Sequence, residues 1–136
     1  MNGLDVKLLE ELKKNARLSN VELAKKIRVS EGSIRNHLAS LSRNRIIRKF
    51  TVEVNLPTDF RAVTLINTAS GIASKKVIQK LSNIKGIDRM FEVSGEFDLV
   101  VETRTSSPSE YNSLIEKIRA IKGIETTETL VVLDAH

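Results

Sequence analysis

The stretch LSNVELAKKIRVSEGSIRNHLASL, Leu18 to Leu41, reads as two short helices joined by an abrupt turn. Ser19 followed by Glu22 is a capping box, in which side chains answer the free N–H groups at a helix start. Leu23, Ala24 and Ile27 then share one helix face, and the small Ala24 allows a neighbour to approach closely. Ser30 caps a further helix whose inward stripe is Ile34, Leu38 and Leu41. Only Arg28 and Val29 separate the first helix from the second cap, so the two cross steeply, as in a helix-turn-helix. The turn position that glycine commonly fills in such motifs is Arg28, a residue less at ease with positive φ, which leaves the turn geometry open.

On the N-terminal side, Leu4, Leu8, Leu9 and Leu12 recur at helical spacing and predict an amphipathic helix over residues 4–15. On the other side, the β-branched run IIRKFTVEV (Ile46 to Val54) reads as a strand or short wing, and Asn55-Leu56-Pro57 breaks it. The expected domains are residues 1–54 and 58–136. Residues 1–54 hold 12 Lys+Arg and 6 Asp+Glu, a net of +6, whereas residues 55–136 hold 10 and 11, a net of −1. Within Lys25–Lys49, eight basic residues face one acid, Glu31. A field so concentrated attracts a polyanion, with counterion release supplying affinity. A solvated basic face is the plain alternative. The coincidence with a helix-turn-helix favours duplex DNA.

The third helix is then the one that enters the major groove. Opposite its apolar stripe lie Gly32, Ser33, Asn36, Ala39, Ser40 and Arg43, with Arg35 and His37 on the flanks. Small residues permit close approach, and Arg35 and Asn36 suit guanine and adenine edges. Arg35, Asn36 and Ser33 are the base-contact candidates; Lys25, Lys26, Arg43, Arg48 and Lys49 are the backbone candidates, with Ser30, Gly32 and Ser40 beside them. For any one of these, an ordinary solvent-facing role is about as plausible as a base contact. His37 has no ligand partner nearby, so a phosphate or packing contact is favoured over metal.

The second half carries a repeat at an offset of 37 residues. Ile78 to Ile87 (IQKLSNIKGI) aligns with Ile115 to Ile124 (IEKIRAIKGI), and the same offset pairs Phe60 with Phe97 and Thr68 with Thr105. Each copy is a helix ended by Lys-Gly, the glycine suiting a left-handed cap and the lysine the helix C-terminus. Ser107-Pro108-Ser109-Glu110 opens the second helix. With strands at about 60–68, 87–94, 97–105 and 125–133, the order is βαββαβ, a ferredoxin-like arrangement. The fold class is α+β: a winged-helix-like helix-turn-helix, then a ferredoxin-like domain with an antiparallel sheet. Leu99-Val100-Val101, Leu130 to Leu133 and Leu65-Ile66 make both sheet faces apolar, which predicts a homodimer.

The chain has no cysteine, so disulfides and thiolate metal sites are excluded. No apolar run approaches the roughly 20 residues that span a bilayer. The N-terminal MNGLDVKLLEELKK lacks the shape of a signal peptide. A cytoplasmic, DNA-associated protein with no membrane partner is expected. Neither His37 nor the terminal His136 stands in a nucleophile pattern, and no phosphate-cradling glycine loop or metal-ligand cluster occurs. No enzyme, cofactor or metal is expected.

The stretch from Leu18 to Val54 resembles the N-terminal domain of the Lrp/AsnC (leucine-responsive, feast/famine) regulators. Glu92 to Val101 (EVSGEFDLVV) resembles the Gly-x-aromatic-Asp loop of the family's effector-sensing module, and Thr127 to Leu133 (TETLVVL) its closing strand. The resemblance extends from Leu4 to Leu133 and implies a transcriptional regulator responsive to an amino acid. It implies an effector site at Ser94, Gly95, Glu96, Phe97 and Asp98, with Thr127 and Thr129 as polar neighbours. The backbone around Gly95 would receive a carboxylate and Asp98 an ammonium group. A hairpin-turn role for the same residues stands beside this. Glu96 and Glu102 leave lysine open as effector, with glutamine or another amino acid as alternatives; a tetramer or an octamer built from dimers is also open. Two other readings share the architecture: an effector-independent DNA-architectural protein, and a haem-pathway decarboxylase subunit, which the lack of an internal histidine in the second half disfavours.

Overall fold

The computed structural model describes residues 1–136 as two compact units, Met1–Val54 and Asn55–His136. The first holds α1 (Gly3–Lys14), α2 (Asn20–Ile27) and α3 (Glu31–Arg43). Reciprocal capping boxes start α1 at Asn2/Asp5 and α2 at Ser19/Glu22, and the Ser30 side chain caps α3. The three amphipathic stripes meet in one core: Leu8, Leu23 and Ile34 are fully buried, with Leu12, Ala24 and Leu41 beside them. Burial of each large aliphatic side chain contributes about 1.5–3 kcal/mol.

The turn left open by the sequence is left-handed, and Arg28 makes it (φ 64°, ψ 51°). The Val29 N–H donates to the Ala24 carbonyl at 3.0 Å across this turn. The end of α3 repeats the device with Arg45 (φ 56°). There Arg45 N–H donates to Ser42 and Ile46 N–H to Leu41, at 3.1 and 2.9 Å. The second is a Schellman motif, and in the first the N–H groups of Arg28 and Val29 both donate to the Ala24 carbonyl; the left-handed position of such helix ends is usually glycine. A side chain there costs roughly 1 kcal/mol.

Ile46–Val54 forms no strand, contrary to the wing expected from its composition. A strand needs an adjacent strand to answer its backbone, and the elements of Met1–Val54 are all helices. Phe50 and Val52 are instead 59% and 76% exposed.

The second unit runs β1 (Phe60–Thr68), α4 (Ser74–Leu81), β2 (Ile87–Glu92), β3 (Leu99–Thr105), α5 (Pro108–Arg119), β4 (Ile124–Val131). Its sheet has the order β2-β3-β1-β4, antiparallel throughout, the ferredoxin-like topology. α5 is 12 residues long and α4 only 8. The difference follows from their starts: Ser107 and Pro108 begin α5, whereas Ala73 supplies no side-chain cap to α4. Gly86 and Gly123 have the expected positive φ (101° and 107°). They lie beyond the helices, however, which end at Leu81 and Arg119. The charges at the helix ends are therefore Lys80, Lys117 and Arg119 rather than Lys85 and Lys122. At Gly123 a Cβ would also meet Ile72 Cγ2 at 2.8 Å, so space and backbone both demand glycine.

One sheet face is buried with α4 and α5: Ala62, Ile66, Leu99 and Val101 pack with Val77, Leu81, Leu114, Ile115 and Ile118. A chain of hydroxyls crosses this core, Tyr111 Oη lying 2.9 Å from Thr64 Oγ1 and 2.6 Å from Thr129 Oγ1. Strand alternation sends Val63, Leu65, Phe91, Val100 and Leu130 to the other face. That face is mixed rather than wholly apolar, since Arg89–Glu102 (2.7 Å) and Arg104–Asp88 (3.2 Å) flank the apolar centre. No helix is long and apolar enough to cross a membrane.

Candidate functional site

The outer side of α3 is built as its stripe dictates. Ile34 and Leu41 are buried, Leu38, Ser33 and Ser40 half-buried, and Gly32, Arg35, Asn36, Ala39 and Arg43 exposed. The Ser30 hydroxyl is occupied, accepting from the Ser33 N–H at 3.1 Å. Gly32 is the informative residue. A Cβ there would meet nothing nearer than Ser30 Oγ at 4.0 Å, and its φ is negative. The fold therefore does not require glycine at this point, although a helix interior prefers alanine.

The basic candidates divide. Arg35 Nη2 pairs with Glu31 Oε1 at 2.7 Å, and Lys26 Nζ with Glu11 Oε2 at 3.1 Å. Surface pairs of this kind contribute little to stability. Lys25, Arg43, Arg48 and Lys49 take part in no salt bridge; the last two lie on the irregular segment after α3. His37 faces inward: its Nδ1 lies 2.7 Å from Asp5 Oδ1, tying α3 to α1. Of the two non-metal roles expected for it, the intramolecular contact is the one the fold uses. Asp5 also accepts the Asn2 N–H at 2.9 Å, and that bond first, then His37, holds its carboxyl below the ordinary carboxylate range. Only the Asn2-x-x-Asp5 spacing hinted at this role for Asp5.

In the second unit the loop after β2 is held by Asp98. Its Oδ2 accepts from the Thr68 N–H and hydroxyl at 2.8 and 3.0 Å, and its own N–H donates to the Ile66 carbonyl. The carboxylate thus reaches β1, 30 residues away, while the Asp98 carbonyl accepts from the Val93 N–H at 3.0 Å and closes the turn. Ser94, Gly95 and Glu96 are exposed and Phe97 half-buried; Gly95 has φ 131° with open space where a Cβ would stand. Thr127 pairs with Ile66 from the other side and accepts from Arg119 Nε at 3.1 Å. Asp98 and Thr127 therefore flank the same end of β1. Thr129 does not join them, because its hydroxyl is turned into the core toward Tyr111. Glu102, offered as a partner for a basic effector, is committed to Arg89. The sequence marks neither Thr68 nor Arg119 as a site residue; Thr68 enters only through its repeat pairing with Thr105, and Arg119 only as part of the second repeat helix. No three His, Asp or Glu side chains are grouped to hold a metal ion.

A helix-turn-helix with a cationic outer helix, followed by a ferredoxin-like domain with a loop of open backbone, defines a DNA-binding protein carrying a ligand-binding module. Comparison with known proteins agrees: the profile for winged helix-turn-helix DNA-binding domains matches residues 1–48, and that for the Lrp/AsnC ligand binding domain residues 61–136. The HTH-type transcriptional regulator LysM of Saccharolobus solfataricus is 34% identical over 129 residues, covering 95% of this chain and 91% of that one. The solved structure of E. coli AsnC superposes with a TM-score of 0.78 at 27% identity, over 99% of this chain and 93% of that one. A transcriptional regulator from Neisseria meningitidis, solved as a complex with L-Met, shares the fold with a TM-score of 0.82 at 17% identity, over 98% and 90%. The chain belongs to the Lrp/AsnC family of transcriptional regulators.

Proposed function

We propose that this regulator reads DNA as a homodimer through α3 and that an amino acid bound beside Gly95 modulates it. The observation that carries the first part is the placement of charge: the whole positive excess lies in Met1–Val54, around a helix whose outer face is Gly32, Arg35, Asn36 and Arg43. Arg35, Asn36 and Ser33 contact bases; Lys25, Lys26, Arg43, Arg48 and Lys49 contact phosphates, with Ser30 and Ser40 at the margins of the helix. Gly32 supports close groove approach, since the fold itself leaves room for a side chain there. The apolar centre of the open sheet face, Val63, Leu65, Phe91, Val100 and Leu130, supports pairing of two copies. The protein then acts by binding rather than catalysis, in the compartment that holds the genome. Selection of duplexes from a random pool tests this reading. An enriched site is expected, with Asn36→Ala relaxing preference at one base and costing about 1–3 kcal/mol there; a pool that stays random contradicts it.

For the effector, the open backbone around Gly95 suits a carboxylate, and Asp98 suits an ammonium group. Oδ2 of Asp98 is held by Thr68, which supports Oδ1 as the oxygen for the ammonium. Ser94, Glu96, Phe97 and Thr127 line the surroundings, whereas Thr129 acts from the core. The ligand-binding family profile and the L-Met complex of the Neisseria relative support this class of ligand. Calorimetric titration with the twenty amino acids tests it: at least one should bind, and Asp98→Ala should abolish that binding.

A further inference from the structure

Every residue with positive φ in Asn55–His136 is glycine, but the two in Met1–Val54 are Arg28 and Arg45. They occupy equivalent places. Each is the left-handed residue of a helix-ending motif: Arg28 stands two residues before the Ser30 cap of α3, and Arg45 two residues after its last residue, Arg43. Glycine adopts this backbone without penalty, and asparagine can bond its own main chain there, whereas arginine has neither advantage. Nothing inside the chain explains the choice. Both side chains are exposed, and neither takes part in a salt bridge. A residue kept in costly backbone with no internal partner points to an external one.

We propose that Arg28 and Arg45 are DNA-phosphate contacts that bracket the recognition helix, one at each end. The inference rests on α3 being the reader and adds two residues to the interface. Guanidinium groups match phosphate geometry in a bidentate fashion. A pair spaced by the length of α3 fixes the helix along the groove without reading sequence. The two strained positions thereby gain a reason to be arginine.

Glycine substitution separates this role from a structural one, because glycine relieves the backbone. Arg28→Gly, Arg45→Gly and the double variant are compared with the unaltered chain for thermal midpoint and for the dependence of duplex affinity on salt. The midpoint is expected to hold or rise. The slope of log affinity against log salt is expected to flatten by about 0.9 for each arginine removed per bound chain. Arg28→Lys, which keeps the charge, should keep the slope. Glycine variants with an unchanged slope overturn the proposal, as does a fall in midpoint, which would show the side chains serving the fold. Failure of the unaltered chain to bind duplex at low salt counts instead against α3 as the reader, so the two failures are distinguishable.

Discussion

Six residues have positive φ, and the two units fill these positions differently: four glycines in Asn55–His136, two arginines in Met1–Val54. The ligand-binding unit uses the residue its backbone needs; at Gly123 even a methyl group would meet Ile72. The reader places long cations where glycine would serve the fold better and keeps Gly32 where the fold would accept a side chain. One unit is built for its own interior and the other for a surface outside it. Net charge follows the same division, +6 against −1.

If the units are separate cores, damage to one should leave the other folded. Leu23→Ala, in the reader, should cost about 2–5 kcal/mol and melt that unit first. The chain has one tyrosine and no tryptophan, so the near-ultraviolet signal of Tyr111 reports only on the other unit and should survive. Ile118→Ala should do the reverse, losing the Tyr111 signal while the helices of the reader persist. Coincident transitions in both variants would break the comparison. A smaller effect is expected inside the ligand-binding core. Tyr111→Phe removes the hydroxyl shared by Thr64 and Thr129 and leaves buried Thr64 without that partner, costing about 1–3 kcal/mol in thermal unfolding.

Acid should also distinguish the units. Asp5, Glu11 and Glu22 in the reader sit below their ordinary values, through hydrogen bonds from Asn2, Lys14 and Ser19 respectively as the largest cause. In the other unit Glu110 is lowered, mainly by Ser106. A carboxylate whose folded pKa lies below its unfolded one adds stability that is complete above the unfolded value and is lost as pH falls through the folded value. Amide signals of residues 1–54 should therefore disperse less before those of 55–136 as pH falls below the ordinary carboxylate range. The smallest change is expected from Gly32→Ala, worth about 0.5 kcal/mol of helix stability in favour of the variant. Its duplex affinity should nonetheless fall, by crowding at the groove.

What was legible in the sequence was local and periodic. The Ser19/Glu22 box, the Ser30 cap and the Ile34-Leu38-Leu41 stripe lie within a few residues of their consequences, and the offset of 37 residues carried the βαββαβ order. What was not legible depended on distant partners. Ile46–Val54 has the composition of a strand, but composition supplies no neighbour. The Asp98 carboxylate bonds Thr68 while its main-chain carbonyl closes its own turn with Val93, and His37 finds Asp5 across two helices, because tertiary packing selects among several local options. Thr129 is expected as a polar neighbour of the effector, yet Tyr111 draws its hydroxyl inward. The arginine turns were half legible: Arg28 was visible as a departure from the usual glycine, and Arg45 only once its backbone was known.

Mapping amide shifts while an enriched duplex is added to the full chain would locate the reading surface residue by residue. Changes concentrated between Lys25 and Lys49, strongest along Gly32–Asn36, are the expected result. Changes confined to residues 55–136, with α3 untouched, would contradict the assignment of this helix to DNA.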